Sequence, residues 1–170
     1  PVVGPAFERA LAGETTFLEN QRMFLDRNGY LEETFLTFSF SPIRDESGGV
    51  GGLFHPVTET TARMLSERRA RVLRDVAARA GKAQTVDEAC VLAIKALADN
   101  ELDLPFVLLY LLEEGGTRAR LAQSTGLSPG GPASPTEVDL SQETPQGWPL
   151  AHVVESGRAV HVKDVSERFG

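Results

Sequence analysis

The sequence is poor in the side chains that metal and redox sites need. It has one cysteine, Cys90, and three histidines, each without a second histidine or a carboxylate at ligand spacing. We therefore expect no metal site, no internal disulfide and a reducing, cytoplasmic location. Nothing near Cys90 in the sequence would activate its thiol, so we interpret it as a small apolar group.

Long apolar runs, an excess of basic charge and catalytic motifs are also missing. The most apolar run, residues 106–112, is far shorter than the roughly 20 residues that span a bilayer. The net charge of -7 argues against nucleic-acid binding by the chain as a whole. No GxSxG or HExxH motif occurs, and we expect the acidic pairs Glu32–Glu33 and Glu113–Glu114 to be solvated. We therefore predict no catalytic residue.

The two ends of the sequence are typical of a piece of a longer chain. The sequence begins at Pro1 without a methionine or a secretory signal pattern. It stops at Gly170 while a further element is under way. We therefore expect further domains outside these residues.

The first third of the sequence alternates as antiparallel strands do. After a short helix that Gly13 ends, two strands are predicted, and the second places Leu36, Phe38 and Phe40 on one face. The run "SGGVGG" that follows, residues 47–52, has neither the GxGxxG nor the GK[ST] pattern of a phosphate loop, and it leads into a strand rather than a helix. We interpret it as the turn of a hairpin.

A long helix is predicted next, because no helix breaker occurs between Thr60 and Gly81. Leu65, Val72 and Val76 lie along one seam of this helix, which is only partly apolar. The seam is compatible with a short coiled coil between two copies and with packing on a neighbouring domain. Basic residues outnumber acidic ones here, but no base-reading side chains are interleaved, so we favour a solvated face over a nucleic-acid site.

The second half of the sequence predicts shorter elements. Thr85 and Glu88 have the spacing of a capping box that begins a helix. The elements predicted after it are a hairpin over 104–127, a loop over 128–149 with a short strand at 136–140, a helix that Gly157 ends, and a strand with Val160 and Val162 on one face.

The stretch "SPIRDESGGVGGLFHPVTETTAR", residues 41–63, resembles the C-terminal part of a PAS domain. In that family a strand ends in Ser-Pro-Ile, a turn with Asp and Gly follows, and a last strand leads through a D-x-T signature into an exit helix. Glu59 replaces the usual Asp, and Pro56 lies inside the last strand, where we expect a bulge or a fraying end. The matching residues are Ser41, Pro42, Ile43, Asp45, Gly48, Glu59, Thr60 and Thr61.

Residues 82–170 resemble the N-terminal part of a GAF domain. The resemblance rests on a helix, the hairpin "PFVLLYLLEEGG", a variable loop and "WPLAHVVESGRAVHVKDV", with Gly157 before a Val-rich strand and Asp164 after it. Cys90 is followed by Val91, so the Cys-His pair of bilin-binding GAF domains is missing. The resemblance identifies no cofactor.

Together these resemblances imply an α+β fold of two partial sensor domains with antiparallel sheets. The PAS-like part is 1–61, a signalling linker helix is 62–81, and the GAF-like part is 82–170. The function implied is sensory input and signal relay in a bacterial signal-transduction protein, above all a sensor histidine kinase of a two-component system. Glu59 and Thr61 would form the signal-transfer junction, with Thr61 capping the helix and Glu59 pairing with a basic residue of the sheet. A cap that only adds stability is the alternative.

Two other functions stay open. The same modules could control a different output, such as a protein phosphatase or a diguanylate cyclase, or the chain could be a non-catalytic dimerisation scaffold. The expected partners are a second copy bound through the linker helix, a small-molecule ligand that the sequence does not identify, and a downstream output domain.

Overall fold

Both halves of the computed structural model combine helices with antiparallel strands, and the structure describes residues 3–141, 147–163 and 165–169. The α+β class is therefore confirmed. The chain divides into two compact units, Pro1–Ala70 and Arg71–Gly170, and the division falls inside the helix that we assigned to a linker. We call these parts unit 1 and unit 2.

Unit 1 is a small sheet with one helix packed on it and a second helix leaving it. Its elements are α1 (Val3–Leu11), β1 (Thr16–Asp26), β2 (Leu31–Arg44), β3 (Val50–Phe54), β4 (Val57–Glu59) and the beginning of α2 (Thr61–Ala80). The predicted inner face of β2 is confirmed, because Phe38 and Phe40 are buried with Ala6 and Ala10 of α1. These residues form the core of the unit.

The third strand of this sheet is interrupted at His55 and Pro56. Both β3 and β4 pair with β2. Ser41 pairs with Phe54 and Phe38 pairs with Val57, so the two strands advance equally across the gap and the register is unchanged. Pro56 has no amide hydrogen to donate to Ser39 O, and the Nδ1–H of His55 donates to that oxygen instead, at 2.8 Å. The irregularity that we expected at Pro56 is thus an interruption bridged by a histidine.

The glycine run forms the β2–β3 turn, as predicted. The Asp45 carboxylate accepts from the amides of Ser47 and Gly49, and these bonds, with the Ser47 hydroxyl first, lower the pKa of Asp45. Gly48 has a positive φ of 85°, and a Cβ at Gly51 would lie 2.9 Å from Cβ of Asp45. The glycines therefore serve a tight turn and a close approach.

Unit 2 holds a helix on a second antiparallel sheet. Its elements after α2 are α3 (Val86–Ala98), β5 (Val107–Leu112), β6 (Arg118–Thr125), β7 (Glu137–Asp139), α4 (Leu150–Ser156) and α5 (Val165–Phe169), and the strand order is β5-β6-β7. The N-cap at Thr85 is confirmed, since its hydroxyl accepts from Glu88 N. Glu88 reaches back to Gln84 N, one residue before the cap. Gly157 ends α4 in the left-handed conformation.

The strand predicted over "RAVHVKDV" is wrong for the described residues 158–163, which form no regular element. A strand needs a ladder of hydrogen bonds to a partner, and among the described residues no strand pairs with this segment. The alternation itself is real, because Val160 and Val162 line the same cavity. Asp164 and residues 142–146 of the predicted loop lie outside the described residues.

The predicted long helix is confirmed as α2, which ends at Ala80. Within a single chain Val72 is buried, and Leu65 and Val76 are half-buried. A coiled coil through this seam would have to use side chains that are already partly covered. Among the described residues, no helix has the length and apolar character needed to cross a membrane.

Candidate functional site

A bulge in β1 lies beside the beginning of α2. Leu18 pairs with Phe38 and Gln21 with Leu36, so Glu19 and Asn20 together face Thr37. Asn20 has a φ of 49°, in the left-handed region that asparagine tolerates better than most residues. The backbone N–H of Asn20 donates to Thr37 Oγ1 at 3.0 Å, which holds the bulge in place.

The side chain of Asn20 joins this bulge to the first turn of α2. Its Oδ1 accepts from Thr60 Oγ1 at 2.9 Å and from Arg63 Nη2 at 2.9 Å. Asn20 could not be identified from the sequence, because a bulge depends on how two strands pair. The only local signal was a residue type that adopts positive φ.

Two threonines bind the backbone of β2 at Phe35. Thr60 N donates to Phe35 O at 2.7 Å, and Thr61 Oγ1 accepts from Phe35 N at 3.0 Å. Thr61 Oγ1 also donates to Glu59 Oε1 at 2.8 Å. Thr61 is therefore the first residue of α2, not its cap, and its hydroxyl connects Glu59 to β2.

Glu59 pairs with a basic residue, as we expected, but that residue lies in the β1–β2 turn. Arg27 Nη1 is 2.9 Å from Glu59 Oε2, and Arg27 Nη2 is 2.9 Å from Glu32 Oε2. The Arg27 guanidinium lowers the pKa of Glu59, and Glu59 in turn raises the pKa of Arg27. The pKa of Glu32 is lowered first by a hydrogen bond from Asn28 and then by Arg27.

Glu33 is the most enclosed charge of this site, with a side chain only 12% exposed. Arg68, two turns into α2, donates to both of its carboxylate oxygens, at 3.0 and 2.7 Å, and Arg22 Nε lies 2.7 Å away. These arginines, Arg68 first, lower the pKa of Glu33. Our expectation that Glu32 and Glu33 are solvated is wrong, since both are largely covered and ion-paired.

These contacts attach the end of β4 and the first two turns of α2 to three places in unit 1: the β1 bulge, the β1–β2 turn and β2. Most of them are exposed hydrogen bonds or ion pairs, whereas the Arg68–Glu33 pair is partly buried. Such contacts can be exchanged at small cost, whereas a close-packed core cannot be rearranged in small steps. We use the name junction for the residues whose side chains make these contacts: Asn20, Arg22, Arg27, Glu32, Glu33, Glu59, Thr60, Thr61, Arg63 and Arg68.

The other predicted site features are reported for the part of the chain that the structure describes. Cys90 is half-buried on α3. No group of three or more His, Cys, Asp or Glu side chains in the described residues is placed to hold a metal ion. His55 donates to Ser39 O in the interrupted strand.

Comparison with protein-family models finds no match for this sequence, and comparison with curated proteins finds none either. The PAS-like and GAF-like assignments therefore remain predictions that rest on the quoted motifs.

Proposed function

We propose that this chain is a sensory input and signal-relay segment of a bacterial signal-transduction protein, with a sensor histidine kinase as the parent. The observation that carries the proposal is the junction, where the sheet of unit 1 is bound to the start of a 20-residue helix. A relay needs such a mechanical connection between the domain that senses and the helix that reports.

The chemistry of the junction suits a relay better than a purely structural cap. Exposed ion pairs contribute about 0–1 kcal/mol each, so a small change in the sheet can shift the preference between two arrangements of these contacts. Glu59 has a central place, because its carboxylate binds both Arg27 and Thr61. Once the first turn of α2 moves, the helix passes the displacement on, since it is stiff over its length.

The test is made in the full-length parent protein, by measuring autophosphorylation with and without stimulus in Glu59→Gln and Thr61→Val variants. We expect several-fold changes in output, or loss of its dependence on stimulus, with little change in melting temperature. Glu14→Gln is the matched control, because Glu14 is also an exposed glutamate paired with an arginine, Arg9, but it lies outside the junction.

Two results would contradict the proposal in different ways. Variants that lower stability but leave output and its stimulus dependence unchanged would make the junction a structural cap. A parent without histidine autophosphorylation, but with phosphatase or diguanylate cyclase activity, would keep the relay and replace the kinase by the alternative output.

The proposed partner is a second copy bound along α2, and its test is sedimentation over a range of concentrations. Leu65→Arg should weaken a dimer formed through the seam of Leu65, Val72 and Val76. Leu73→Arg is the control off the seam, since Leu73 is 70% exposed in the single chain. A monomer at every concentration would exclude both this dimer and the scaffold function.

A further inference from the structure

We propose that unit 2 binds a small, uncharged aromatic molecule in a cavity of about 380 Å³. The cavity lies between β5, α4 and the segment that includes Val160, Val162 and Val165. Its described lining contains aliphatic and aromatic side chains and no charged one. An ion would lose hydration here without gaining a charged partner among the described lining residues, so the cavity favours an uncharged ligand.

The polar atoms of the lining side chains are already bonded to the protein. Tyr110 OH donates to Pro135 O at 2.7 Å, and Trp148 Nε1 donates to Ala133 O at 2.7 Å. Partial burial raises the pKa of Tyr110, so the phenol stays neutral at physiological pH. A ligand that needs several hydrogen bonds would find few side-chain partners, which favours a molecule with little polar surface.

The size of the cavity limits the ligand to a small molecule. A cavity of about 150 Å³ holds one benzene ring, so 380 Å³ accommodates a ligand of one or two fused rings. The volume falls at the lower end of the range of roughly 300–1,000 Å³ for small-molecule sites.

Aromatic rings form one wall of the cavity and favour an aromatic occupant. Trp148 lies 5.8 Å from Phe106 between ring centroids in a tilted arrangement, and both rings line the cavity. Trp148 also packs on Phe169, with 4.4 Å between the ring centroids. Aromatic pairs in such geometries are more stable than the apolar area they bury accounts for.

This site rests on the proposed function for its purpose, since it would supply the stimulus of a sensor, but its existence is tested by binding alone. Trp148 is the only tryptophan of the chain and lines the cavity, so its fluorescence reports occupancy directly. The probe is bromobenzene, whose heavy atom quenches indole emission on contact. The charged comparison probe is 4-bromobenzoate.

With the 170-residue chain, we expect saturable quenching by bromobenzene and none that saturates with 4-bromobenzoate. Val153→Phe fills the cavity and should weaken bromobenzene binding by about tenfold or more, the equivalent of 1.4 kcal/mol. Val154→Phe is the matched control, because the adjacent valine does not line this cavity and is 44% exposed. If Val153→Phe loses its circular dichroism signal, Val162→Phe takes its place.

Three results would overturn the proposal. Quenching that rises linearly and equally with both probes would mean collision without a site. Unchanged saturation in the cavity-filling variant would place binding elsewhere. Emission that changes with protein concentration before any probe is added would assign the cavity to a second copy of the chain. In each of these three cases, an intact effect of Glu59→Gln on output would reject this site and leave the proposed relay standing.

Discussion

The two units build their candidate sites from opposite chemistry. In unit 1 the junction consists of hydroxyls, an amide and ion pairs, and it joins a strand end to a helix. In unit 2 the cavity is lined by apolar side chains, and its lining tyrosine and tryptophan donate to backbone carbonyls. Polar surface contacts can be exchanged at small cost, whereas an apolar cavity gains free energy by filling. The first arrangement suits transmission and the second suits binding.

The comparison would break if unit 1 depended on its junction rather than on its core for stability. Phe40 tests this, because it is 6% exposed and lies edge-on to Phe7 and face to face with His55. We expect Phe40→Ala to lower the free energy of unfolding by about 3–5 kcal/mol, measured by urea denaturation. Phe17→Ala is the control, since Phe17 is 67% exposed. Equal losses in the two variants would contradict this account of the core.

The next largest effect should come from the most enclosed ion pair of the junction. Arg68→Ala removes two charge-assisted hydrogen bonds from Glu33. We expect a loss of about 1.5–3 kcal/mol, against about 0.5 kcal/mol or less for Arg71→Ala at an exposed position of the same helix. A loss no larger than that of the control would show that α2 is not held by this pair.

The same pair predicts how the stability of unit 1 depends on pH. The pKa of Glu33 is lower in the folded protein than its ordinary value of 4.5, so its ionised form stabilises the fold. This contribution is complete above pH 4.5 and is lost as the pH falls through the lower folded-state value. The stability difference between the wild type and Glu33→Gln should therefore shrink on acidification. A difference that grows instead would reverse the sign and contradict the ion pair.

A smaller effect separates the backbone of the bulge from its side chain. Asn20→Gly keeps the left-handed backbone conformation but loses the side-chain bonds from Thr60 and Arg63. Asn20→Ala loses these bonds and also strains the left-handed backbone. We expect the alanine variant to be less stable than the glycine variant by about 1–2 kcal/mol. Equal stabilities would show that the bulge relaxes. Hydrogen exchange in the first turn of α2 should rise in both variants if Asn20 holds the helix.

The residues of the junction show what can be predicted from the sequence. The strands, the turn at Asp45 and the helix from Thr61 follow from local periodicity and turn residues, and Glu59 could be expected to find a basic partner. Asn20, Arg27 and Glu33 could not be found, because their roles depend on the register between strands. The predicted strand around Val160 failed for a related reason, since alternation shows which residues share a face and not whether a partner strand is present.

The last prediction concerns the interrupted strand, where the His55 side chain donates the hydrogen bond that the backbone of Pro56 cannot donate. His55→Ala leaves Ser39 O without this donor and should cost about 1 kcal/mol. Pro56→Ala restores an amide that can donate to the same oxygen, so His55→Ala should cost less in that background. The loss of the stacking on Phe40 is the same in both backgrounds and cancels in the double-mutant cycle. A coupling energy of zero would mean that the imidazole stabilises the strand only through its ring packing.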